Sequence, residues 1–95
     1  MTDPDGRQKR EVYYHGMVQG VGFRYTARQI AEQFDVTGYV QNMPDGRVLL
    51  LAEGLSEELD RFLAAIEARM GHYIDGSRQA VGPASGHFHR FEVRF

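Results

Sequence analysis

The chain is expected to fold as an α+β sandwich, with two helices on one face of an antiparallel sheet of four to five strands. Three observations predict it. β-prone segments alternate with two segments whose apolar residues recur at helical spacing, so the element order reads β-α-β-β-α-β. Met43-Pro44-Asp45-Gly46 joins the second and third strands directly as a hairpin turn. The first helix is a crossover, which makes the first and second strands parallel, with the third hairpinned between them.

The elements follow in order. Residues 1–10 (MTDPDGRQKR) are polar and aperiodic and are expected to form a disordered tail, leaving 11–95 as one domain. Asp3-Pro4-Asp5 has the spacing of an aspartyl-phosphate DxD, but no apolar strand precedes it, so it reads as solvated tail. Val12, Tyr13 and Tyr14 mark a strand from Glu11 to about Val18. Ala27, Ile30, Ala31 and Phe34 form one stripe of a helix that starts at Phe23 or Arg24 and ends at Phe34. The second strand spans Thr37 to Gln41 or Asn42, and the third Arg47 to Glu53, with Gly54 ending it. Ser56 reads as the N-cap of a second helix, and Glu57, Glu58 and Asp60 complement its dipole. Leu55, Leu59, Phe62, Leu63, Ile66 and Met70 are its buried stripe, and Gly71 its C-cap. Beyond it, Tyr73-Ile74 suggests a short strand, and Gly76-Ser77 and Gly82-Pro83 suggest turns. A last strand is expected from His87 to Phe95, with a bulge near His89-Arg90 because Phe88 is out of phase with Phe91, Val93 and Phe95. The whole is the split β-α-β, ferredoxin-like arrangement.

Composition narrows the function. At 95 residues and 42% hydrophobic, the chain can bury one two-layer core and no second domain. Lys and Arg number 11 against 13 Asp and Glu, a net charge of −2, whereas a nucleic-acid coat normally shows a basic excess. RNA-binding modules share the topology but place aromatics on the central strands; Val48-Leu49-Leu50-Leu51 has none. The absence of cysteine excludes disulfides, thiolate metal sites and the Cys-x5-Arg phosphatase chemistry. No apolar run reaches the ~20 residues of a membrane span, and no signal-peptide core opens the chain, so a cytoplasmic protein is expected.

The chemistry concentrates in Val18-Gln19-Gly20-Val21-Gly22-Phe23-Arg24. It is not a Walker A loop, since no Gly-Lys-Ser/Thr follows, and not a dinucleotide fingerprint, since Tyr25 stands where a third glycine belongs. Two glycines, a helix start and an arginine nonetheless converge on one point. Backbone amides, the helix dipole and a guanidinium each favour an anion. Arginine opposes the dipole at a helix N-terminus, so its presence there serves a ligand better than it serves stability. The topology brings Asn42, at the end of the second strand, to the same sheet edge. A carboxamide there could orient a water without repelling a phosphate. His87 and His89 share a strand face but lack a carboxylate partner, and read as surface residues; His15 is as consistent with packing as with function.

His15-Gly16-Met17-Val18-Gln19-Gly20-Val21-Gly22-Phe23-Arg24-Tyr25 resembles the signature of the acylphosphatase family, and Gly38-Tyr39-Val40-Gln41-Asn42 with Asp45-Gly46 and Val48 resembles its second signature. The match covers roughly residues 11–70; Gln41 replaces a usual basic residue, and 71–90 departs from the family's fourth-strand pattern. The resemblance implies hydrolysis of the carboxyl–phosphate bond of acyl phosphates by direct attack of water, with no metal or cofactor. It implies that Arg24 and the backbone of Gln19, Gly20, Val21, Gly22 and Phe23 bind the phosphoryl group, and that Asn42 holds the water. The expected partners are a small acyl phosphate and inorganic phosphate or similar anions, with no nucleic acid or membrane, on a monomer. A non-catalytic phosphate- or acyl-phosphate-binding domain would use the same residues.

Overall fold

The computed structural model describes residues 6–95. In chain order it contains β1 (Arg7–Gly16), α1 (Phe23–Ala31), β2 (Thr37–Asn42), β3 (Val48–Leu55), α2 (Ser56–Met70), β4 (Ile74–Pro83) and β5 (Phe91–Arg94). A single 3-10 turn, Gly71–Tyr73, links α2 to β4. The strands form one sheet in the order β4-β1-β3-β2-β5. β1, β3, β2 and β4 pair antiparallel, whereas β5 joins β2 in parallel, so the sheet is mixed rather than antiparallel throughout.

Alternation sets which side chains meet the helices. Val12 and Tyr14 of β1, Val40 of β2, Val48, Leu50 and Ala52 of β3 and Phe91 of β5 are buried with Phe23, Ala27 and Ile30 of α1 and Leu59, Phe62, Ile66 and Met70 of α2. Phe62 sits between Phe34, at 5.9 Å, and Phe91, at 5.3 Å between ring centroids.

Several boundaries differ from expectation, each for a physical reason. β1 begins at Arg7, so Arg7–Arg10 are strand and not tail; Asp3-Pro4-Asp5 lies outside the described residues. Arg10 looks like tail because it is charged, yet it is buried. Its guanidinium donates to Asp60 at 2.8 Å, Ser56 Oγ at 3.1 Å and Gln8 at 3.0 Å. Gly54 does not end β3; it pairs with Gln8, and the strand runs on to Leu55. Leu55 is then the α2 N-cap, and Ser56 the first helical residue, with no side-chain cap bond. Gly71 is the C-cap of α2, as expected, but it keeps helical dihedrals, φ −56° and ψ −33°, and passes the chain into the 3-10 turn. α1 ends at Ala31, three residues before Phe34.

The largest correction concerns 74–95. Gly76-Ser77 and Gly82-Pro83 are not turns but lie inside β4, an unbroken edge strand paired with β1. β5 is only four residues long. His87, Phe88 and His89 precede it in a segment that crosses the sheet's outer face, so no bulge forms in a strand there. Glu53, buried on that face of β3, anchors the segment: its carboxylate accepts from Ser85 N at 2.9 Å, Ser85 Oγ at 2.8 Å and Gly86 N at 3.0 Å. Phe88 packs on Tyr39 at 5.9 Å, which is why it is out of phase with β5.

Candidate active site

β1 and β2 run in the same direction, so their C-terminal ends meet at one edge of the sheet. The loop from Met17 to Gly22 leaves β1 there, and Asn42 closes β2 beside it. Between them lies a cleft of about 280 Å³ lined by Val18, Gly20, Gly22, Phe23, Arg24, Tyr25 and Asn42.

Local chemistry shapes this loop. Gly20 and Gly22 take left-handed dihedrals, φ 79° and 77°, which cost other L-residues about 1–2 kcal/mol. Added β-carbons there would meet nothing within 4 Å, so conformation and not space demands glycine. Gly22 is the N-cap of α1, with no side-chain cap and no acidic residue in the first turn. The first-turn amides of a helix have no acceptor within it, and the dipole directs positive potential to the same point. Val18 and Phe23 are buried, and Val21 packs against the core, so the loop is riveted from below. The Phe23 ring meets Tyr14 at 5.2 Å. Burial, with the charge of Glu67 second, pushes the Tyr14 hydroxyl well above its ordinary range.

Of the expected site residues, Gly20, Gly22, Phe23, Arg24 and Asn42 line the cleft, and Gln19 and Val21 do not. Gln19 reaches the hairpin beside it through its side chain. Its side-chain amide donates to the carbonyls of Met43 and Arg47, both at 2.9 Å. This ties the glycine loop to the hairpin turn immediately after Asn42. Arg24 donates from Nη1 to the Arg94 carbonyl at 2.9 Å, and its guanidinium lies over the Phe95 ring at 4.7 Å. β5 therefore steers the guanidinium. A main-chain acceptor leaves no trace in a residue pattern, so nothing in the sequence marked Arg94. His15 is exposed, with its imidazole against Gly76, while His87 and His89 are exposed on the outer-face segment; none of the three lines the cleft. Among the described residues, no group of three His, Asp or Glu side chains could hold a metal ion, and no helix is long and apolar enough to cross a membrane.

The acylphosphatase family profile matches residues 10–93. The chain belongs to the acylphosphatase family. An acylphosphatase of Archaeoglobus fulgidus is 50% identical over 58 residues, which is 61% of this chain and 65% of that protein. An acylphosphatase of Lactobacillus johnsonii is 39% identical over 80 residues, 82% of this chain and 88% of its own length. The crystal structure of acylphosphatase from Bacillus subtilis superposes with a TM-score of 0.83 at 29% identity, covering 93% of this chain and 99% of that one. The acylphosphatase match runs into β5 and includes the segment whose residue pattern departs from the family's.

Proposed function

We propose that the chain hydrolyses acyl phosphates to a carboxylate and inorganic phosphate, with Arg24 and the loop amides holding the phosphoryl group and Asn42 placing the water. The single observation that carries the assignment of roles is the shared cleft, which sets a guanidinium, a loop closed by two left-handed glycines, a helix N-terminus and one carboxamide around the same space.

Phosphoryl transfer asks a protein mainly for positioning and charge stabilisation. An acyl phosphate already carries a good leaving group, a carboxylate. Arg24 grips phosphoryl oxygens with the donors that its Arg94 bond leaves free. The amides of Val21, Gly22, Phe23 and Arg24 hold the oxygens as charge shifts among them. Asn42 directs a water oxygen at phosphorus. The new P–O bond forms as the P–O bond to the acyl group breaks, and the bonding pair leaves with the carboxylate. A phosphoryl oxygen takes the water's proton, since no side chain lining the cleft is a carboxylate or imidazole. The reaction as written needs no cofactor. The form proposed for the protein is a cytoplasmic monomer.

Hydrolysis of an acyl phosphate in the presence of EDTA tests the activity, and Asn42→Ala tests the mechanism. The variant should lose kcat by about 10²–10³, as for removal of one preorganised donor, with little change in KM. Binding of the substrate without turnover by the wild type would favour a non-catalytic domain instead.

A further inference from the structure

Large exposed apolar side chains gather at two ends of this molecule. Leu55 and Val81 lie far from the cleft, where they pair with Arg7 and Arg10. Met17, Tyr25 and Phe95 belong to the cleft end and are 76, 55 and 84% exposed. Single exposed apolar residues need no explanation; a group of them at the mouth of a charged cleft marks a ligand surface.

Two of the three are set against the phosphoryl clamp. Tyr25 follows Arg24 in the first turn of α1 and lines the cleft together with Asn42. It also borders the shallow depression beside the cleft that contains Thr26, Arg28 and Gln29. Phe95 follows Arg94, the last residue of β5, whose partner across the parallel pair is Gln41, the neighbour of Asn42. Its ring lies under the Arg24 guanidinium at 4.7 Å, yet most of it is left in solvent. Tyr25 on the helix thus shares the cleft lining with Arg24, and Phe95, just beyond β5, lies against the Arg24 guanidinium.

Charge alone accounts for the phosphoryl end of a substrate and leaves these rings unused. In an acyl phosphate the acyl carbon is two bonds from phosphorus. Once the phosphoryl group is gripped, the acyl group must emerge across the rim of the cleft. We propose that Tyr25 and Phe95 form an apolar platform for the acyl end, so that the cleft prefers acyl phosphates with a flat, apolar acyl group over small ones. This inference rests on the reading of the cleft as an acyl phosphate site. Stacking beneath Arg24 also explains how Phe95 can serve both ends of the substrate: one face steadies the cation while the rest of the ring stays open to an apolar group.

Benzoyl phosphate and acetyl phosphate are the probes, with kcat/KM measured for each on the wild type, Tyr25→Ala, Phe95→Ala and the double variant. Both side chains are largely exposed, so their removal leaves the core intact. The wild type should favour benzoyl phosphate, and the double variant should lose about tenfold of that preference, the scale on which an apolar surface discriminates between substrates. A loss from Phe95→Ala that is equal on both substrates would mean that the ring only steadies Arg24, and an unchanged ratio in the double variant would overturn the platform outright. If the wild type hydrolyses neither probe, the reading of the cleft fails, and the platform with it.

Discussion

Replacing Gln19 by Ala isolates the link between the two walls of the cleft. The side chain makes two hydrogen bonds, both at 2.9 Å, from the glycine loop to the turn after Asn42. Its removal leaves neither carbonyl unpaired, since Met43 O also accepts from Gly46 N at 3.1 Å and Arg47 O from Met43 N at 2.8 Å. The loss is therefore two ordinary bonds without an orphaned acceptor, about 2 kcal/mol in all. For a domain of this size that lowers the thermal midpoint by roughly 10 °C. The kinetic effect should be larger in proportion, because misplacement of reacting groups by ~1 Å can cost ~10²-fold. Gln19→Glu sharpens the test, since it keeps the shape but aims a carboxylate at two carbonyl oxygens, and it should be the worse variant in both respects. Thermal unfolding followed by circular dichroism and steady-state hydrolysis of an acyl phosphate read the two effects. Retention of both the midpoint and kcat by Gln19→Ala would refute the idea that this side chain holds the loop in register with Asn42.

Two further outcomes are expected. Arg24→Lys keeps the charge but cannot hold the Arg94 carbonyl and fork two phosphoryl oxygens together; at about 1.5–3 kcal/mol per charge-assisted bond, kcat/KM should fall by roughly 10²-fold. A matching rise in the inhibition constant of inorganic phosphate checks this, and a lysine variant within a few-fold of wild type would remove the fork. Tyr14 concerns stability against pH. Its hydroxyl is held above the ordinary value of 10.0 by burial and then by Glu67, so the stability it contributes is complete below about pH 10 and is lost as pH rises toward the folded value. Tyr14→Phe should flatten the fall in thermal midpoint between pH 9 and 11, and equal slopes for the two proteins would contradict it.

The contrast between legible and illegible parts of the chain has a consistent physical origin. α2 and the 43–46 turn are local: apolar spacing and a Pro-Asp-Gly turn depend on near neighbours, and both appear where expected. β4 is an edge strand whose side chains are mostly exposed on both faces, so no burial alternation marks it. Its Gly76 resembles a turn residue but serves to admit the His15 imidazole across the β1 pairing. Arg10 and Glu53 are buried charges satisfied by residues dozens of positions away, and such partners cannot be read from spacing. In the cleft, Arg24 and Asn42 announce themselves because the roles proposed for them belong to their side chains. The Arg94 carbonyl and the Gln19 tie do not, because one is backbone and the other acts by where the fold puts it.

A cleft that would meet its ligand, as proposed, with main-chain amides, a guanidinium and a carboxamide is lined by no carboxylate and no imidazole. Its grip cannot be tuned by acidity from the protein's side. Any change in affinity between mildly acid and mildly alkaline solution would then trace the ionisation of the bound phosphate itself. The amides have a second property: no point substitution deletes them except one to proline, which carries no backbone N–H. Short of that, inheritance can alter this anion seat by bending its two left-handed corners or by exchanging the few side chains that reach into it.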